Sequence, residues 1–105
     1  GSSAVVRYEV PLEVAPARAA GLEAYMRGRH IPEILATGCF VAIRFERASP
    51  TRVRTCYEAA TAAHLERYLR EHADHFRADF RATMGDAAVP TRETWEEVEA
   101  WRLSQ

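Results

Sequence analysis

The order in which the hydrophobic period changes along this chain is what most restricts its fold. Residues 4–14 alternate: Val6, Tyr8, Val10, Leu12 and Val14 share one face, Arg7, Glu9 and Glu13 the other. A period of two belongs to a half-buried strand. Pro11 has no N–H for a ladder, so the strand must be unpaired or bulged there. Over residues 16–36 the period turns helical, with Leu22, Tyr25, Met26 and Arg29 at i, i+3, i+4 and i+7. Pro32 removes one helical bond and restricts Ile31, which predicts a kink or a restart. Gly38 is a natural stop.

Alternation then returns. Residues 39–48 read as a second strand with Cys39, Val41, Ile43 and Phe45 on one face, and 52–60 as a third with Val53, Thr55 and Tyr57 inward. Ala48-Ser49-Pro50-Thr51 is the turn between them. Matching the apolar faces pairs Phe45 with Thr55 and Ile43 with Tyr57, with an odd number of residues between. Cys39 and Cys56 then differ in parity and face opposite ways, so no disulfide joins them. Residues 62–84 form a long second helix, capped by Thr61 and ended by Gly85. At ~100° per residue, its stripe holds Leu65, Leu69, His72, Phe76, Phe80 and Thr83. Residues 90–100, with Trp95, Val98 and Trp101, complete the set as a fourth strand. Strand, helix, strand, strand, helix, strand is the split βαβ layout. The expected fold is α+β and ferredoxin-like: an antiparallel four-stranded sheet with two helices on one face.

Only one such unit fits into 105 residues, so residues 4–105 are read as a single domain. Gly1-Ser2-Ser3 has the composition of a cloning scar. The net charge of -1 gives no electrostatic case for nucleic acid or an anionic membrane. No apolar run is long enough to span a bilayer, and a cytoplasmic location follows by default. All basic residues are Arg, which excludes Schiff-base and Lys general-base chemistry. No nucleophile elbow, Walker loop or dinucleotide fingerprint occurs.

The sheet face away from the helices carries Arg7, Glu9, Arg44, Glu46, Arg52, Arg54 and Glu58, with Phe40, Ala42 and Cys56 among them. Opposite charges alternate, so cross-strand pairs such as Glu46 with Arg52 or Arg54 are expected. RNA-recognition folds of the same topology stack bases on aromatics there, and no such platform exists here.

The segment from His30 to Phe40 (HIPEILATGCF) resembles a small bacterial family with an H-I-P-[DE]-x-L-x-T-G-C-F signature. Tyr68 to Ala73 (YLREHA) matches that family's Y-L-x-x-H-A segment in the second helix. The family is similar to the dimeric α/β-barrel superfamily of cofactor-free monooxygenases, lactone isomerases, polyketide cyclases and haem-degrading proteins. The resemblance implies a homodimer with a small-molecule pocket between sheet and helices. It also implies a cofactor-free enzyme for acid/base isomerisation, cyclisation or oxygenation of an aromatic or polyketide-like compound. The charged outer face departs from the apolar sheet-to-sheet contact of such dimers.

On this reading His30, at the helix kink, and His72, in the core stripe, are the candidate proton-transfer groups. Glu33, in the first turn after Pro32, is the residue that would orient His30. Tyr8, Tyr25, Tyr57 and Phe76 are the candidate ligand-binding residues, and no cofactor is expected. A non-catalytic ligand-sensing or protein-interaction module is the alternative. A further one is a metal held by His72, His75 and Asp79 at i, i+3 and i+7, with His30 as a fourth ligand.

Overall fold

The computed structural model describes residues 4–104. Gly1-Ser2-Ser3, read above as a cloning scar, and Gln105 lie outside them.

β1 (Val6–Val14) is the central strand, and it buries Val6, Tyr8, Leu12 and Val14 as the alternation dictates. It pairs antiparallel with β3 (Arg52–Ala59), which pairs antiparallel with β2 (Ala42–Ser49). On the other edge of β1 lie two short strands, β4 (Ala88–Pro90) and β5 (Glu93–Glu96). The sheet order β2-β3-β1-β4 is that of a ferredoxin-like fold. The expected β2–β3 register holds, with Ile43 opposite Tyr57 and Phe45 opposite Thr55. The odd residue is Ala48, bulged where the register shifts between Arg47 and Ser49.

Three boundaries differ from the sequence reading. The fourth strand is not one run over 90–100. It starts at Ala88, breaks at residues 91–92 and ends at Glu96, both pieces keeping one register with β1. The break lies opposite Pro11, which has no N–H to offer. Only the Pro11 carbonyl still accepts a bond, from Thr91 N at 3.0 Å. The second correction is at residues 39–41, which precede β2. Period-two logic does not apply there, and Phe40 is buried while Val41 is exposed.

Third, both helices are segmented. After a 3-10 turn at Pro16–Arg18 come α1 (Ala19–Tyr25), a π-helical turn (Met26–His30) and α2 (Ile31–Leu35). Pro32 cannot donate to the Gly28 carbonyl and its ring would crowd it. The wider π turn just before it relieves both problems. The second helix divides into α3 (Ala62–Glu71) and α4 (Ala73–Met84) at His72, whose φ of -129° leaves the helical range. The stripe therefore changes phase: Tyr68 is buried and Leu69 is largely exposed. Thr61 caps α3 by accepting from His64 N at 3.4 Å. Gly38 and Gly85 end helices at φ of 77° and 54°, where a Cβ would be strained.

Both helical segments cover the same sheet face. One apolar cluster packs Val6, Tyr8, Tyr57 and Ala59 against Ile34, Leu65, Tyr68 and Phe76. The other packs Leu12, Val14 and Val53 against Leu22, Tyr25, Met26 and Met84. Val10 touches both clusters. The outer face carries the expected ion pairs, with Glu46 meeting Arg54 at 2.7 Å and Glu58 meeting Arg7 at 3.4 Å. Both cysteines are free.

Candidate functional site

The π turn has a chemical consequence. It puts His30 at the last position of the widened segment and buries it to 8% exposure. Behind it, the Tyr25 hydroxyl lies 3.3 Å from His30 Nδ1 and donates to Asp79 Oδ2 at 2.9 Å. Tyr25 has one hydroxyl proton, and Asp79 takes it. Tyr25 must therefore accept from His30, so Nδ1 carries the imidazole proton. Nε2 is left as a bare lone pair, and no protein group among the described residues bonds to it. Arg29 holds the far oxygen of Asp79 and lies over the Tyr25 ring at 5.4 Å. Burial holds the His30 pKa down to about 4, against the partial opposition of Asp79. The imidazole is thus neutral at pH 7, with its tautomer fixed by a chain of three side chains. Burial, helped by Asp79, pushes the Tyr25 hydroxyl up to about 12, so it stays protonated.

His30 faces a cavity of about 40 Å³ at the seam of the two apolar clusters, where Val10 and Leu12 of β1 meet Met26, Phe76 and Phe80. Among the described residues the buried side chains of plainly polar type are His30 and Thr55, and both line it. Thr55 is fully buried, and its Oγ1 is the sole enclosed side-chain oxygen or nitrogen without a hydrogen bond among the described residues. The Tyr57 hydroxyl approaches Thr55 Oγ1 without hydrogen-bond geometry. A buried polar group left unsatisfied costs roughly 1–3 kcal/mol, and the Tyr57 hydroxyl is the group placed to relieve that cost.

Three tyrosines close around the same space. The rings of Tyr8 and Tyr57 are 5.8 Å apart, and that of Tyr68 is 6.4 Å from Tyr8. Burial raises the Tyr57 and Tyr68 hydroxyls far above the ordinary phenol range, so both remain donors. Tyr8 accepts from Arg77 Nη2 at 3.0 Å and keeps its own proton to give. Arg92 completes the rim. The register of β4 and β5 sets it opposite Val10, on the helix-covered side of the sheet.

The structure therefore brings His30, Tyr8, Tyr57 and Phe76 together, with Tyr25 directly behind His30. It does not bring His72 or Glu33 to the cavity. His72 sits at the α3–α4 break, its ring 6.3 Å from Tyr68. Glu33 is exposed and lies 3.9 Å from Arg29 Nε, so it does not orient His30. That position belongs to Tyr25 and Asp79. The metal alternative is corrected as well. Among the described residues no group of three or more His, Cys, Asp or Glu side chains could hold a metal ion. Asp79 is turned to Arg29 and Tyr25, and His75 packs edge-on against Phe76 at 5.0 Å. Tyr68, Arg77, Arg92 and the role of Asp79 were not visible in the sequence. Only Tyr68 had a signal, its place in the YLREHA segment.

The fold defines a class: an α+β domain of ferredoxin-like topology. A monooxygenase from Streptomyces coelicolor, solved with the ligand nanaomycin D, superposes with a TM-score of 0.73 at 16% identity, covering 97% of this chain and 95% of that one. The cofactor-independent oxygenase SnoaB from Streptomyces nogalater gives 0.62 at 17% identity over 97% and 99%. A dimeric ferredoxin-like protein from an uncultured marine organism gives 0.67 at 14% identity over 92% and 97%. At these identities the likeness concerns the fold. No curated protein matches. By sequence, the chain belongs to the family described as a domain of unknown function, DUF4286, whose model matches residues 5–98.

Proposed function

We propose that this protein is a homodimeric small-molecule enzyme that needs no cofactor and uses His30 as a general base. The observation that carries the proposal is the Asp79–Tyr25–His30 chain. It fixes a neutral imidazole beside a buried cavity lined by phenol donors. Burial makes it a weaker base than a free imidazole, so it takes a proton from a phenol or an acidic carbon only where the anion left behind is stabilised, the shared first step of isomerisation, cyclisation and oxygenation. The developing oxyanion would meet the hydroxyls of Tyr8, Tyr57 and Tyr68. An aromatic or polyketide-like substrate in the cytoplasm fits the ring-lined walls, and the oxygenases of the same fold support that direction. His72 and Glu33 have no part in the proposal because neither reaches the cavity.

The homodimer has independent support. Beyond β5 the chain leaves the sheet with Val98 95%, Trp101 81% and Leu103 92% exposed. Exposed apolar groups in one arm call for a covering surface, and a neighbour of the same fold is described as dimeric.

The size of the cavity favours a second reading, a non-catalytic ligand-sensing module. About 40 Å³ is room for roughly three waters, so a ring-sized ligand must extend into the groove outside. The test is oxygen uptake and product chromatography with a panel of anthrones and hydroxynaphthalenes in air. His30→Gln should lower turnover by roughly 10²–10⁴ and leave folding intact, while His72→Ala keeps most of it. Loss of less than about tenfold in His30→Gln removes the general base and leaves the sensing module.

A further inference from the structure

We infer that the ligand of this cavity is an organic anion, a small aromatic or enolic acid whose carboxylate is held at the mouth by Arg77 and Arg92. This deepens the function proposed above and rests on it.

The first observation is an imbalance of charge. On the outer sheet face Arg7, Arg44 and Arg54 each have a glutamate within ion-pair distance. Arg77 and Arg92 make no ion pair among the described residues. Arg77, half-buried on α4, spends one nitrogen on the Tyr8 hydroxyl. Arg92, in the break between β4 and β5, is placed by the register of its flanks on the helix-covered side of the sheet, where a charge is not needed for packing. Among the described residues none of the cavity's lining side chains is a carboxylate. His30 adds no negative charge and is itself neutral at pH 7, because burial lowers its pKa.

The second observation is the space in front of these two residues. An outer groove of about 250 Å³ shares Arg77, Phe80, Pro90 and Arg92 with the inner cavity and adds Arg81. Asp86 is the one acidic side chain in its wall. A ring lying between Phe80 and Pro90 would put a carboxylate against the guanidinium groups and its far edge toward His30 and Thr55. Guanidinium matches a carboxylate with paired N–H donors, which a neutral amide cannot exploit as well.

The third observation is that the inner wall is rich in donors. Tyr8, Tyr57, Tyr68 and Thr55 bring four hydroxyl protons to the wall, against one nitrogen lone pair on His30. A substrate giving its proton to that acceptor becomes more negative, and every other polar group there is able to stabilise the change.

The test is an NMR titration of the full chain with sodium 2-naphthoate and, separately, its neutral isostere 2-naphthamide, following the amide of Thr55 and the ring of His30. Naphthoate should bind at least about tenfold more tightly, since charge-assisted bonds are roughly twice as strong as neutral ones. Arg92→Gln, an exposed change with no packing role, should erase most of that difference and leave naphthamide binding unchanged. Arg77→Gln should act in the same direction. Arg52→Gln removes the same charge from the outer sheet face and should leave the preference for the acid intact. Equal affinity of acid and amide overturns the inference while the cavity stands as a binding site. If neither probe shifts Thr55 or His30, the binding reading falls with it.

Discussion

The protonation of one histidine carries most of the chemical argument, and it has a thermodynamic signature. In the folded protein His30 titrates at about 4, against 6.5 for the free side chain. Between those values the unfolded chain binds the extra proton and the folded one does not. Stability must therefore rise with pH from about 4 to 6.5 and be lost as pH falls through that window. The shift corresponds to on the order of 3 kcal/mol. Asp79, held down by Arg29 and Tyr25, also loses its contribution on acidification, but below its ordinary carboxylate range. Chemical denaturation of wild type and His30→Gln between pH 4 and 7 should show a slope that the variant lacks. Parallel curves would mean that His30 is not buried in a neutral form. The histidine at the kink was legible from sequence because Pro32 follows it so closely. Its partners were not, since Asp79 comes from a helix about fifty residues on and no local pattern joins them. His72 was misjudged for a related reason: a single helical phase was carried through a break that the residue itself occupies.

At the level of elements, the two-residue period located the strands and their pairing, and registers such as Phe45 with Thr55 followed from parity alone. Segmentation was harder to read. A proline announces that a helix must adjust, but a kink, a restart and a π turn all satisfy it locally, and only packing selects among them. The motif around Gly38 shows the same interplay. The glycine turns the chain at φ 77° after α2, so that Cys39 and Phe40 drop into the core, with Arg67 Nη2 3.2 Å from Cys39 Sγ. A Cβ at Gly38 would have space, since the nearest atom is the flexible end of Arg67 at 3.8 Å. The cost of Gly38→Ala is therefore one of backbone conformation, roughly 1–2 kcal/mol. Urea denaturation should show that loss with an unchanged slope. A neutral result would place the origin of the turn elsewhere.

For the whole molecule, the ferredoxin-like scaffold gathers the site from distant parts of the chain: β1, β3 and α3 for the tyrosines and Thr55, the π turn for His30, α4 and the β4–β5 break for the arginines. The bare arm after Glu96 extends the account to a second copy. Removing residues 98–105 should shift the protein from dimer toward monomer in sedimentation velocity while the far-ultraviolet dichroism of the domain is retained. A truncated form that stays fully dimeric would move the interface to the charged sheet face. The sequence pointed to a dimer through its family resemblance, and its charged face hinted that the contact would be unusual. Nothing in it marked the arm as exposed.

The proposed chemistry depends on a neutral, tautomerically fixed His30 at the cavity wall. Long-range ¹H–¹⁵N correlation of the histidine rings across pH 3–8 tests it most directly. His30 should carry its proton on Nδ1 at neutral pH and titrate near pH 4. A His30 protonated on Nε2, or one titrating at the ordinary imidazole value of 6.5, would contradict it.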